Sequence, residues 1–271
     1  IEALHDAAMA EIQQERFDQA IEYLSKALEI EPKNPASLAN TGYCHLKHDK
    51  PAKALELFDR CLEIKPNWHI AFYNRGMALH ALERYDDAKA AFEKGVEFQP
   101  DHLEAKLNLA TINLETYRVD EAIEQLGEIL DRDPDYFDAK INLSKAYNMK
   151  GQWRQAIQVF EDLDAEQLDE PDVCLEVSKA LNKIGIRYKA LPLLEKALEA
   201  DNLTLINKTD AASLLCSFRR YEQANLLADE VLDEEPENLE ALRVKNAALI
   251  GQGRVDEAIE TGIKSFELAP S

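Results

Sequence analysis

The sequence predicts an all-α protein built as a solenoid of antiparallel helix pairs. Three observations carry this expectation. Alanine recurs every 34 residues, at Ala20, Ala54, Ala88, Ala122, Ala156, Ala190, Ala224 and Ala258, with no insertion or deletion. The same register holds a small residue at position 8 (Ala8, Gly42, Gly76, Ala110, Ser144, Ser178 and Ala212, with Asn246 the exception). Finally, Ala, Leu, Glu and Lys recur throughout, while Val-, Thr- and aromatic-rich runs are scarce, which favours helix over strand.

The period sets the elements in order. Segments run over 1–34, 35–68, 69–102, 103–136, 137–170, 171–204, 205–238 and 239–271, and together they are expected to form one domain. Within each, helix A is expected over about positions 2 to 14 and helix B over about 18 to 31. Between them lie turn signals such as Gly151–Gln152 and Gly253–Arg254. Asp18, Asp86, Asp120 and Asp256 are placed to cap helix B. Position 32 is Pro32, Pro66, Pro100, Pro134, Pro236 and Pro270, with Leu168 and Asn202 the departures. Proline there stops helix B because it cannot continue the hydrogen-bond ladder. Asn67, Asp101 and Asp135 follow and are expected to cap the next helix A. Small residues at 8 and 20 let the two axes approach to ~8–10 Å. Large residues at 4, 24 and 27 then fill the space between segments, each covering its neighbour's apolar face.

These residues make the chain resemble the tetratricopeptide-repeat family along its whole length: small at 8, Ala at 20, Pro at 32, and large apolar at 24 (Leu24, Phe58, Phe92, Leu126, Phe160 and Leu194). The resemblance implies a right-handed superhelix whose A helices line a concave groove. It points helix A positions 2, 5, 6, 9, 12 and 13 into that groove. It also implies a scaffold or adaptor that binds an extended protein or peptide segment, with no catalytic residues.

Position 6 in four successive segments is Asn40, Asn74, Asn108 and Asn142. An amide offers both donor and acceptor, so a column of them can satisfy a peptide backbone. Similar asparagine ladders hold peptide backbones in glycosyltransferase and peroxisomal-import proteins of the family. The competing reading is a row of solvated polar residues. Tyr43, Tyr73 and Met77 add an apolar patch. Lys145, Lys179 and Lys183, with Asn148 and Asn182, add a partly basic one suited to an acidic or C-terminal carboxylate contact. Asp172 and Glu176 nearby leave open that these are ordinary surface lysines. The family's carboxylate clamp is not matched: the first segment has His5 and Met9, the second Ala39 and Tyr43.

Charge bounds the partners. The net charge is -21, from 52 acidic and 31 basic residues, which repels phosphate backbones and anionic headgroups. No nucleic acid and no membrane insertion are expected, since no apolar run approaches the ~20 residues a span needs. Cys44, Cys61, Cys174 and Cys216 form no CxxC pair, and none of the six histidines stands at metal-ligand spacing. The cysteines read as small buried hydrophobes in a reducing, cytoplasmic setting. Neither cofactor nor metal is expected, and no glycine-rich phosphate loop or HExxH motif is present. Two alternatives to the adaptor are a self-assembling structural module and the recognition arm of a larger transferase-type enzyme. The last segment leaves Ile259, Ile263 and Phe266 with no following repeat. That is expected either of a piece of a longer protein or of a homo-oligomer joined through this uncapped C-terminal repeat.

Overall fold

The computed structural model describes residues 1–164, 166–200 and 203–268. Asn202 and Pro270, two of the position-32 residues, lie outside them. The described residues contain sixteen α-helices and no strand, an all-α helical repeat solenoid. The first pairs are α1 (Glu2–Gln13) with α2 (Phe17–Ile30), α3 (Pro35–Lys47) with α4 (Pro51–Ile64), and α5 (His69–Ala81) with α6 (Tyr85–Phe98). Next come α7 (Leu103–Glu115) with α8 (Val119–Arg132), and α9 (Phe137–Met149) with α10 (Trp153–Gln158). The last are α11 (Pro171–Lys183) with α12 (Arg187–Ala197), α13 (Leu205–Ser217) with α14 (Tyr221–Glu234), and α15 (Leu239–Gln252) with α16 (Val255–Leu268). They group into two compact blocks, Ile1–Ala139 and Lys140–Ser271.

The packing follows the alanine column. Every position-20 alanine is buried. In the second block Ser144 and Ser178 show what position 8 touches: each hydroxyl donates to the carbonyl of the position-20 alanine, Ala156 and Ala190, at 2.8 Å. Position 8 is also matched in size to position 24. A Cβ on Gly42 would meet Phe58 at 2.7 Å, and one on Gly76 would meet Phe92 at 2.7 Å. In the last pair the sizes are exchanged, with Asn246 at 8 against Gly262 at 24.

The turn inside each pair is one motif used eight times. The amide of position 16 donates to the carbonyl of position 11 at 2.7–3.0 Å, from Arg16→Glu11 through Arg254→Leu249. The amide of position 15 donates to that of position 12 at 2.8–3.2 Å. This reciprocal pair of bonds is a Schellman ending, which requires a left-handed residue between the helices. Position 15 supplies it: Glu15, Asp49, Glu83, Tyr117, Gly151, Gly185, Arg219 and Gly253 all have φ between 52° and 86°.

Several expectations are corrected. The helix B N-caps are the position-16 residues, such as Arg16, Arg84 and Arg118, with no side-chain cap. Asp18, Asp86, Asp120 and Asp256 stand inside the first turn, where they complement the helix dipole instead. Helix A is capped from position 34, one residue later than expected: Asn34, Thr204 and Asn238 accept from Ser37, Asn207 and Ala241. At position 27 small residues are buried, among them Ala27, Gly95 and Ala197. Position 4 is not uniformly apolar. Lys106, Lys140 and Lys208 stand there and each pairs with a carboxylate at position 26, Glu128, Asp162 and Glu230, at 2.7–3.0 Å. The fifth helix B is the largest departure, because α10 ends at Gln158. Glu161, Asp162 and Asp164 follow, unfavourable at the negative end of a helix, and a single 3-10 turn at Gln167–Asp169 leads into α11.

Three of the four cysteines, Cys44, Cys61 and Cys174, are buried as expected, and Cys216 is half-buried. All four are free, and burial pushes the thiols of Cys44 and Cys61 up to about 11.

Candidate functional site

The candidate residues fall in both blocks, and the two sets behave differently. In the first block Asn40, Asn74 and Asn108 occupy the same position on α3, α5 and α7, all half-buried. The Asn40 amide reaches Met9 Sδ at 3.5 Å, a weak contact. Asn108 donates to the Glu104 carbonyl at 2.9 Å and to Tyr73 Oη at 3.4 Å. Asn74 makes no hydrogen bond among the described residues, so its donor and acceptor are both uncommitted. Asn142 stands at the equivalent place on α9, half-buried and engaged.

The aromatic patch is built around Tyr73. Tyr73 and Met77 pack against the cluster holding Phe58, Leu79 and Phe92. Tyr43 sits edge-on to Phe17 at 6.4 Å and carries Lys47 over its ring. The Tyr73 ring lies 4.9 Å from His102, whose Nε2 is 3.3 Å from Glu104. Burial raises the Tyr73 phenol above its usual range, and the Glu104 carboxylate adds to the effect. Tyr136 is raised by the same two causes in the same order. His102, Glu104 and Tyr136 therefore belong with Tyr73, a grouping the sequence reading missed. Two of the three stand at position 34, in the connection between helix pairs, where the period gave no reason to look.

In the second block Asn148, Lys179 and Asn182 are engaged within the fold. Asn148 is buried and donates to the Glu176 carbonyl at 3.0 Å and to Glu176 Oε2 at 2.6 Å. Lys179 donates to Glu176 Oε1 at 2.6 Å and to Asp210 Oδ2. Burial by itself would lower the Lys179 pKa, but Glu176 and Asp210 outweigh it and the ammonium is held above its usual range. Glu176 is only 3% exposed, so this lysine neutralises a buried carboxylate and has no charge to spare for a ligand. Asn182 donates to Ser217 Oγ at 3.1 Å, and the exposed Lys183 ammonium lies 5.9 Å above the Trp153 ring. Lys145 is half-buried and forms no ion pair among the described residues. Sequence spacing could not reveal the network, because Lys179 and Asp210 are 31 residues apart.

No helix among the described residues is long and apolar enough to cross a membrane.

Comparison with known proteins bears on the family. A family model described as tetratricopeptide repeat matches residues 79–130 and 113–173. A second, described as anaphase-promoting complex, cyclosome, subunit 3, matches residues 13–95. A search of curated proteins finds no match. Among solved structures, a tetratricopeptide repeat protein from Parabacteroides merdae is 17% identical, with a TM-score of 0.76 over 92% of this chain and 98% of that one. YrrB, described as a TPR protein with an unusual peptide-binding site, is 20% identical, with a TM-score of 0.55 over 65% of this chain and 91% of its own. MamA is 20% identical, with a TM-score of 0.54 over 75% of this chain and 96% of its own. At these identities the likeness speaks for the fold.

Proposed function

We propose that this chain, a member of the tetratricopeptide-repeat family, is a protein-interaction scaffold that holds an extended segment of a partner protein along the A helices of its first block. The observation that carries the reading is the row Asn40, Asn74 and Asn108, in which Asn74 keeps its amide uncommitted. Neighbouring helix pairs stand ~10 Å apart, the length of about three residues of extended chain at ~3.3 Å each. Asn74 can then bond one peptide unit of the ligand, while Tyr43, Tyr73 and Met77 receive the side chains between. Peptide binding by YrrB, a protein of this fold, fits the same use. The lysines of the second block support no carboxylate contact at Lys179, which is already paired.

The test is a pull-down with the intact protein, identification of what it retains, and titration of that partner against an Asn40→Ala/Asn74→Ala/Asn108→Ala variant. Weakened binding with an unchanged melting curve supports the row as the contact. Normal binding by a folded variant refutes it.

A second reading rests on α16, where Ile259, Ile263 and Phe266 are exposed. At the positions of Ile259 and Phe266 the first block carries Ile21, Leu55, Leu28 and Leu62, which pack in core clusters. Self-association through this face predicts a sedimentation coefficient that rises with concentration and falls back in Ile263→Glu. A single concentration-independent species removes this reading.

A further inference from the structure

The second block carries its charge unevenly between its two edges. One edge is formed by the Schellman turns inside the helix pairs, residues 149–155, 183–189, 217–223 and 251–257, which hold eight basic and three acidic residues. The opposite connections are acidic: residues 230–240 hold six acidic residues and no basic one. In a chain of net charge -21, a positive edge is an exception that needs a physical reason.

The turns are in contact, so the edge is one surface. Arg187 donates to the Ser217 carbonyl, and its guanidinium lies 5.1 Å from the Phe218 ring. Gln252 donates to the Tyr221 carbonyl at 2.9 Å, and Arg254 donates to Gln252 at 3.1 Å. Between them is an open hollow of about 520 Å³ lined by Arg219, Arg220, Tyr221, Glu222, Gln223 and Gln252.

Arg254 is paired with Glu257 at 2.5 Å, but three charges at the centre of the edge are not consumed by the fold as that of Lys179 is. Arg219 and Lys189 are exposed and form no ion pair among the described residues. Arg220 reaches Glu195 only at 3.7 Å, with both side chains more than half exposed, a pair worth little. Beside them Tyr188 is 77% exposed. Arg187 holds the turn position that an aromatic fills in most other pairs, which leaves Tyr188 one residue further on and pointing at no core.

We infer that this turn edge, centred on Lys189, Arg219 and Arg220 with Tyr188 at its side, is a second docking surface, distinct from the A-helix row, for an acidic peptide segment. Charge complementarity selects the ligand. Salt screens the acidic remainder of the protein beyond ~8 Å, so a short segment confined to the edge meets mainly positive charge. A long polyanion such as a nucleic acid would run on over the acidic connections and be repelled. Turns recur once per helix pair, ~10 Å apart, so carboxylates about every third residue of an extended segment meet successive turns. The Tyr188 ring offers a stacking face to an apolar or planar side chain between them.

The test uses the intact chain and a fluorescein-labelled twelve-residue peptide of four Glu-Ser-Gly repeats, read by fluorescence anisotropy. Binding is expected near 50 mM salt and weakens about tenfold by 300 mM, as an exposed charge contact does. Lys189→Gln/Arg219→Asn/Arg220→Gln is expected to weaken it about tenfold, Asn at 219 being chosen because it tolerates the left-handed turn. Asn74→Ala/Asn108→Ala should leave it unchanged, which separates this surface from the proposed groove. Three results would overturn the inference: no binding at the lower salt, equal binding by the folded triple variant, or tighter binding of a single-stranded oligonucleotide of the same charge.

Discussion

At position 6 of the period the first block carries Asp6, Asn40, Asn74 and Asn108, whereas the second carries Asn142, Glu176, Asp210 and Val244. The helices are of one type and the register is the same. In the first block Asn40 makes only a weak contact, Asn108 donates to the Glu104 carbonyl of its own helix, and Asn74 makes no hydrogen bond among the described residues. In the second, two carboxylates at this position are bridged by Lys179, and Asn148 donates to one of them. A surface row that could serve a ligand in one block has become an internal strut in the other. Position within a repeat therefore fixes where a side chain stands, and its chemistry decides whether it is spent on stacking or left for binding.

The largest effect that can break this comparison is Lys179→Met. It strands the buried Glu176 carboxylate and should cost about 3 kcal/mol, read as a lowered urea midpoint. Asn74→Ala, in the other block, should cost no more than about 0.5 kcal/mol. Similar losses for the two would mean that the first row is structural as well.

Next in size is Gly76→Ala, whose new Cβ would stand 2.7 Å from Phe92. It should lose about 2 kcal/mol. Adding Phe92→Leu copies the Ala110–Leu126 combination and should recover part of the loss in thermal melts. In the second block Gly262→Ala meets only the flexible Asn246 amide at 3.2 Å and should cost less.

Smaller still is Tyr117→Gly, which should raise stability by about 1 kcal/mol by relieving a left-handed residue. Tyr117 is 83% exposed, so little packing is lost. In the second block the same site is already glycine at Gly151, Gly185 and Gly253, and Gly253→Ala should shift stability the other way.

The smallest difference is one of pH. His80 pairs with Glu115 at 2.7 Å in the first block, while Asn182 pairs with Ser217 at the same two positions in the second. The hydrogen bond to Glu115 raises the His80 pKa above 6.5, against the opposing effect of burial. A raised pKa means the folded state holds the proton more tightly, so this stabilisation is full below the unfolded value and fades as pH rises through the folded one. His80→Gln should flatten the pH dependence of stability above about pH 6.5, measured by urea unfolding from pH 5.5 to 8.5. An unchanged slope would show that the pair contributes nothing.

The alanine column and the position-32 prolines made the helix pairs legible because each residue type answers a local demand, a close crossing or a stop. The turn was only half visible. Glycine marks three of its eight left-handed positions, and Glu15, Asp49, Glu83, Tyr117 and Arg219 give no such sign. The early end of α10 was hidden for another reason: its register stays intact, with Ala156 and Phe160 still buried, while the backbone leaves the helix. Among site residues the asparagine row could be read directly, since it lies on one period. Lys179 could not be placed, because whether a lysine is free depends on carboxylates brought near by stacking.

The Schellman turn has a further consequence for how such a protein can change over generations. Its hydrogen bonds are all main-chain, and the position-15 residue is exposed in every helix pair. Substitution there alters the charge of an edge at the cost of some local backbone strain, and no buried contact has to be rebuilt. Acid, base, aromatic and glycine already occupy that one position along a single chain. An edge of this kind is raw material on which a new recognition property can arise by single steps, while the core beneath it stays as it was.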